Sequence, residues 1–326
     1  MTVSTARVSD PLPDAIEQFR DAMRVHGITP PEHIIADGIL KRFASNGQRS
    51  DDAGWCVFYD GDIPAGAFGC WRLGINENWR ADIGRKLTVA EENAHKARIE
   101  EIRHAREAEE KKRHAEAKTK AQAILNGSQT ADDTHPYLTG KKVKAHGLRV
   151  HNGKLVVPVR DETGELHSLQ FIDTDGGKKF LPGGRVKGCF HLIGEPHGVI
   201  GIAEGYATAA TDHETTGYAV AVAFNDGNLK PVAEALRKKF PDMRLIVCAD
   251  DDWKTEGNPG LTKATEAARV VGAALAVPAF GIDRTDKATD FNDMAALRGA
   301  EAVKRTIMNA KTDGWAEPQA ELQRGI

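Results

Sequence analysis

Short apolar runs, each closed by small or acidic residues and separated by helical patterns, dominate the chain from position 199 onward. Residues 199–203, 219–224, 245–249 and 274–280 are almost wholly apolar. Strands apolar on both faces belong inside a sheet that is covered on both sides. Between them, 229–240 and 261–271 carry apolar residues at helical spacing, and a last helix is predicted over 294–308. This alternation predicts an α/β fold, a parallel sheet with helices on both faces.

Upstream the rhythm changes three times. Residues 13–26 place Ile16, Phe19, Met23 and Val25 on a short amphipathic helix that stops at Gly27. Turn-bounded, aromatic-rich runs at 38–43, 54–59 and 65–71 predict a small antiparallel sheet, with hairpins at Asp37-Gly38 and Asp60-Gly61. From 85 to 120 there are eleven basic and eight acidic residues, and Ile99 and Ile102 are the large aliphatics between Val89 and Ile124. Opposite charges four apart, such as Glu92 with Lys96 and Glu107 with Lys111, support a helix. Polar nearly all round, it reads as a solvent-bridging spacer. Residues 135–194 return to strands, at 155–159, 166–172 and 190–193, bounded by glycines. The expected order is a small N-terminal α+β domain (1–84), a charged helical spacer (85–128), a small mixed α/β basic subdomain (129–197), the parallel-sheet domain (198–312) and a polar tail (313–326).

Composition narrows the classes. The chain has 326 residues, 40% of them apolar, and a net charge of −3, so any nucleic-acid surface is local. Cys56, Cys70, Cys189 and Cys248 form no CxxC pair, which gives no zinc site and suggests reduced thiols in a cytoplasmic protein. No apolar run has the length of a membrane span.

Chemistry enters at two strand ends. Residues 199–203 run into Glu204, and 245–249 run into Asp250, Asp251 and Asp252. Sites in such sheets form beyond the carboxyl ends of the strands, so these carboxylates face one crevice. They repel each other unless a cation holds them, and all-oxygen ligands suit Mg2+ or Mn2+ and metal-assisted phosphoryl transfer. Alternate side chains of an extended run share a face, which selects Asp250 and Asp252 and leaves Asp251 aside.

Basic residues gather just before. The glycine-rich turns at 176–180 and 183–188 carry Lys178, Lys179, Arg185 and Lys187, and Lys141 and Lys142 lie upstream. Glycine lets backbone and cations approach a phosphate chain, although lysines on hairpins also serve solubility. Lys254 and Lys263 suit either nucleotide phosphates or the surface. Trp55, Trp71 and Trp79, near Lys41, Arg42, Arg49, Arg72 and Arg80, could stack single-stranded bases. Filling the core of a small domain is the reading we favour.

The run Glu204-Gly205-Tyr206-Ala207-Thr208-Ala209 matches the EGYATA signature of primases from satellite phages and conjugative plasmids. With Asp-x-Asp at a later strand end, it resembles the TOPRIM domain of primases, topoisomerases and some nucleases. Asp290-Phe291-Asn292-Asp293 resembles the segment that closes this domain in phage primases, and equally suits a helix N-cap. The resemblance spans 134–310 and is vague before it. It implies a DNA primase that makes short RNA primers from ribonucleoside triphosphates on a single-stranded DNA template. Glu204, Asp250 and Asp252 would be catalytic and hold Mg2+, while Lys141, Lys142, Lys178, Lys179, Arg185 and Lys187 would bind nucleic acid or nucleotide. Asp251, Lys254, Asp290 and Asp293 are further candidates. Without a GxxxxGK[ST] motif, a replicative helicase would be a separate partner. A TOPRIM nuclease, or a non-catalytic single-stranded-DNA-binding accessory protein, remains an alternative.

Overall fold

The computed structural model describes residues 14–48, 51–61 and 63–312, apart from the side chain of Asp283. Arg49 and the tail expected at 313–326 lie outside the described residues. The chain forms two compact units that meet in sequence between Lys112 and Arg113.

In the first unit, helix α1 (Ala15–Val25) starts on Asp14, whose carboxylate accepts the Ile16 N–H. It buries Phe19 and Met23 against an antiparallel sheet of β1 (Lys41–Phe43), β2 (Gly54–Tyr59), β3 (Ala65–Cys70) and β4 (Ile75–Arg80). The Phe19 ring meets Phe58, Phe68 and Trp79 at centroid distances of 5.2, 5.6 and 4.9 Å. Trp55 is fully buried and Trp71 packs on it, so these tryptophans fill the core. Strand β4 was not expected. Its half-buried Ile75, Glu77 and Trp79 alternate with exposed Asn76, Asn78 and Arg80, a pattern too polar to stand out.

Helix α2 (Val89–Asn126) opens on a capping box, in which Glu91 accepts the Thr88 N–H and Thr88 Oγ1 accepts the Glu91 N–H. Within the first unit it sets Ile102, 2% exposed, on Trp55, Val57 and Ala67. Its continuation in the second unit buries Ala117 and Ala121. The expected spacer, polar all round, is therefore corrected. A narrow stripe of Ile99 and Ile102, then Ala117, Ala121, Ile124 and Leu125, is enough to pack a charged helix.

The second unit has two sheets. Antiparallel β5 (Gln129–Thr130), β6 (Arg149–His151), β7 (Lys154–Arg160), β8 (Leu166–Ile172) and β9 (Lys178–Phe180) lie in sequence order, with helix α3 (Pro136–Lys141) between β5 and β6. A proline at its first position and His135 as cap start this unexpected short helix. On β7, Val156 meets Leu166, Leu169, Leu181 and Ala121 of α2. Leu155, Val157 and Val159 join the core of the other sheet.

That other sheet holds β10 (His191–Ile193), β11 (Val199–Ala203), β12 (Ala219–Val222), β13 (Arg244–Cys248) and β14 (Ala274–Ala276), in the order β10-β12-β11-β13-β14. The last four are parallel, whereas β10 pairs antiparallel with β12. The all-parallel expectation is thus corrected. Residues 190–193, assigned from sequence to the basic subdomain, supply the antiparallel edge. Ile200, Ile202, Leu245 and Val247 face helices α5 (Leu229–Lys239) and α6 (Pro259–Val271). Val220, Val222, Ile246 and Cys248 face α4 (Tyr206–Thr216), α7 (Phe291–Arg298) and α8 (Ala300–Met308). The single helix expected over 294–308 is two, broken at Gly299, whose φ of 80° is one that other residues rarely adopt.

If α2 packs as described, Ile102→Ala removes a buried side chain and lowers stability by about 2–4 kcal/mol. Urea unfolding measures it. A loss below roughly 0.5 kcal/mol, the scale of an exposed position, would return the helix to a solvated spacer.

Candidate active site

Three adjacent parallel strands deliver carboxylates to one end of the second sheet. β11 runs directly into Glu204, β13 continues through Ala249 to Asp250 and Asp252, and β12 leads through Phe224 to Asp226. Asp290, at the N-cap of α7, is the fourth contributor. It accepts the Asp293 N–H at 2.8 Å and the Thr208 hydroxyl at 3.1 Å. Asp293 in turn accepts the Thr289 N–H, so cap and acidic cluster are the same residues.

The charges feel one another. Burial, then Asp226, Asp252 and Asp290, push the Glu204 carboxyl up to about 7, although Lys178 opposes the rise. Burial, then Glu204, Asp290 and Asp252, push Asp250 up to about 9. Asp250 Oδ1 is buried with no hydrogen-bond partner among the described residues. An unsatisfied carboxylate oxygen, aligned strand ends and an all-oxygen donor set fit a hard divalent cation such as Mg2+. Asp226 was missed from sequence because a turn separates it from its strand. Asp212 of α4 was missed as well. It is fully buried behind the cluster, its carboxyl raised well above the usual range by burial.

The loop after β13 is braced from both sides. Asp251 accepts from Asn258 Nδ2 and Arg284 NH1, each at 2.6 Å, and its carbonyl accepts from Arg284 NH2. Asp251 therefore points away from the cluster into a latch. Asp252 accepts the Gly260 N–H at 3.1 Å, and a Cβ on Gly260 would lie 2.7 Å from the Asp250 carbonyl, so only glycine fits there.

The basic residues divide. Lys178, on β9, reaches the first turn of α4, where a Cβ on Gly205 would stand 3.2 Å from its Nζ. Phe180, two residues on, seats this hairpin against Phe224 at 5.7 Å. Phe224 holds the left-handed φ of 74°, unusual for a bulky residue and two residues before Asp226. Lys141 lies close enough to Asp290 to oppose the rise of its carboxyl. Lys141 and Lys142 line two cavities, of about 360 and 310 Å³, beside Asn292 of α7. Lys187 lines another of about 300 Å³ with Asp226, Lys230 and Lys263. Lys179, exposed like Lys178, is its neighbour on β9, Arg185 turns toward Asp161 at 4.0 Å, and Lys254 pairs with Asp286 at 2.6 Å.

A Toprim domain family model matches residues 199–316. The chain carries a Toprim domain. It resembles two proteins of Escherichia coli, each called DNA primase TraC. Identity is 38% and 34%, and each match covers 81% of this chain. The matches span only 26% and 19% of those longer proteins. Among solved structures, the primase fragment of the bacteriophage T7 primase-helicase protein is 18% identical with a TM-score of 0.41, covering 56% of this chain and 79% of that one. The DnaG primase catalytic domain bound to ssDNA is 12% identical with a TM-score of 0.42, covering 62% and 80%. The TOPRIM resemblance read from the sequence thus holds for the domain that bears the carboxylates.

Outside the Toprim domain, Asp161, Glu165 and His167 bring possible ligand atoms within 4.8 Å of one another. The two carboxylates are donors that take Mg2+, whereas the imidazole nitrogen is not, and the sequence reading passed over all three. Here, however, the carboxylate is already satisfied. Asp161 accepts from Thr163, the Glu165 N–H and His167 Nε2, and these bonds hold its carboxyl low against the effect of burial. Asp250 Oδ1 has no such partner among the described residues. Among the described residues no helix is long and apolar enough to cross a membrane.

The raised carboxyls set a pH dependence. The metal-free folded protein holds protons on Glu204 and Asp250 that the unfolded chain releases, so the contribution of these two groups to stability is fully present near pH 4 and is lost as pH rises through 7 toward 9. Asp250→Asn removes one charge of the cluster. In chelator, we expect it to melt above the unchanged protein at about pH 8 and to lose that advantage near pH 4. A variant that melts lower at about pH 8 would show that repulsion does not dominate there.

Proposed function

We propose that the chain is the catalytic portion of a DNA primase, joining ribonucleoside triphosphates into short RNA primers on single-stranded DNA. The observation that carries this reading is the convergence of Glu204, Asp250 and Asp252 at adjacent parallel strand ends, with Lys178 of the neighbouring sheet beside them. The naming of the two similar Escherichia coli proteins as primases supports it.

In nucleotidyl transfer the primer 3′-oxygen attacks the α-phosphorus and pyrophosphate leaves. Glu204, Asp250 and Asp252 would hold Mg2+ or Mn2+, which when bound polarises phosphate oxygens and offsets pyrophosphate charge. Glu204 and Asp250 must surrender the protons that their crowding retains, so loading and ionisation are coupled. Asp251 keeps the loop in place through Arg284, and Asp290 and Asp293 fix α7 behind the carboxylates. Lys178 is suited to the triphosphate, since its ammonium already lies at the strand ends. Lys141, Lys142, Lys179, Arg185 and Lys187 would hold template or nucleotide, and Lys254 would be free to leave Asp286 for a phosphate.

The separation of tasks follows the chain. Residues 1–84 would take part in template recognition, 129–197 in holding strand and nucleotide, and 198–312 in joining. A separate helicase would open the duplex in the cytoplasm.

The test supplies single-stranded DNA, four ribonucleotides and Mg2+, and looks for labelled oligoribonucleotides. Asp250→Asn and Glu204→Gln should each lose at least roughly 100-fold, the scale on which misplaced transition-state charge is felt. Lys178→Ala should lose roughly 10-fold or more, while Lys179→Ala stays within about 3-fold. Cleavage of the template would move the reading to a nuclease, and binding without either reaction to an accessory protein. Equal losses at Lys178 and Lys179 would remove the special place given to Lys178.

A further inference from the structure

The residue after Asp252 is a tryptophan that the core does not use. Trp253 is 46% exposed, in contrast to Trp55, which is buried. Its ring is nevertheless held. The Arg284 guanidinium lies over it, 4.9 Å from the ring centroid, and also lies 4.6 Å from the centroid of Phe280. That guanidinium cannot wander. It donates to the Asp251 carboxylate and carbonyl at 2.6 and 2.7 Å and to the Ala288 carbonyl from two nitrogens, at 3.0 and 2.9 Å. Phe280, Arg284 and Trp253 thus form a stack anchored through Asp251 to the loop that bears Asp250 and Asp252.

An exposed indole with no structural task would need no such bracing. Trp is the strongest aromatic partner for a cation, and its broad face is what a nucleobase stacks on. Position adds to this, because consecutive Cα atoms are about 3.8 Å apart and the ring therefore starts one residue from a carboxylate of the acidic cluster. The neighbouring cation points to the same ligand. Lys254 Nζ lies 5.0 Å from the ring centroid, held by Asp286, an exposed partner that competes weakly with a phosphate. A ring for a base, an ammonium for a phosphate and carboxylates for a metal-bound phosphate make up the parts of a nucleotide.

We infer that Trp253 is a stacking platform for a nucleobase held beside the acidic cluster, with Arg284 as the positioning residue that fixes the ring. This rests on the nucleotide-joining reading above for its substrate class. It does not depend on turnover, because stacking is read by binding alone. The base belongs either to an incoming nucleotide or to a strand, and the experiment separates the two.

The full chain in Mg2+ is titrated against a labelled single-stranded oligonucleotide, the same oligonucleotide with abasic positions, and labelled ATP. Trp253→Ala should weaken binding of the base-containing strand, of ATP, or of both by roughly 5- to 100-fold, the range for loss of one stacked base. Binding of the abasic strand should stay within about 2-fold, and Trp253→Phe should recover most of the loss because it keeps a π-face. A loss confined to ATP assigns the ring to the incoming nucleotide, and one confined to the base-containing strand assigns it to template or primer. Equal weakening toward base-containing and abasic strands would overturn the inference. So would a Phe variant as weak as Ala, unchanged binding in Trp253→Ala, or no binding of any probe by the unchanged protein. Base-dependent loss in a protein that makes no primers would leave the platform standing and remove the primase. Primer synthesis by a Trp253→Ala protein whose binding of every probe is unchanged would do the reverse.

Discussion

Crowded negative charge is the constraint around which the second unit is arranged. Three neighbouring strands end in Glu204, Asp250 and Asp226, and Asp290 closes the group from α7. Left alone, such a cluster would splay. It is held because each carboxylate belongs to a rigid element and because nearby groups are spent on brackets. Asn258 and Arg284 take up Asp251, Gly260 takes up Asp252, and Thr208 takes up Asp290. Asp250 Oδ1 and both carboxylate oxygens of Asp212 behind it are buried without such a bracket among the described residues, and burial among like charges raises the carboxyls of Glu204, Asp250 and Asp212.

The same constraint explains why the antiparallel sheet and the Toprim sheet are not separable pieces. Leu155, Val157 and Val159 of β7 share one apolar core with Val220, Ile246 and Tyr206. The Tyr206 hydroxyl donates to the carbonyls of Lys144 and Ala145, tying the first turn of α4 to the segment after α3. Asn228 adds a second tie, donating to the Val186, Cys189 and Ala223 carbonyls while accepting the Gly188 N–H. Lys178 is therefore presented to Glu204 by a packed core, which makes its position reproducible where a flexible hairpin would not be.

Legibility in the sequence followed how local each signal is. The Toprim strands and their terminal carboxylates stood out because fully apolar runs stop abruptly on acids, a pattern written within ten residues. Asp226 acts on Glu204 more strongly than the other charges do, yet a turn intervenes and nothing local distinguishes it. Lys178 and Lys179 are neighbours of one kind. Which one reaches the acids depends on Phe180 meeting Phe224, forty-four residues away. The direction of β10 was hidden too, because apolar alternation reports burial and says nothing of partner or polarity. Helix α2 was misjudged because its contacts are sparse, Ile99 and Ile102 in one half and Ala121, Ile124 and Leu125 in the other, too few among so many charges to give a hydropathy signal.

Helix α2 has a consequence for anyone who would divide the molecule. A junction between compact units is usually sought in a loop, where a cut harms neither side. Here the junction falls inside a continuous helix, between Lys112 and Arg113, and each half of that helix supplies part of a hydrophobic surface. A fragment beginning at Gly127 would strip Ala121 from Val156, Leu166, Leu169 and Leu181 and leave a greasy sheet face wet. Ending the first piece before Ile102 would do the same to Trp55 and Val57. Dissection of this chain must carry the helix with both pieces.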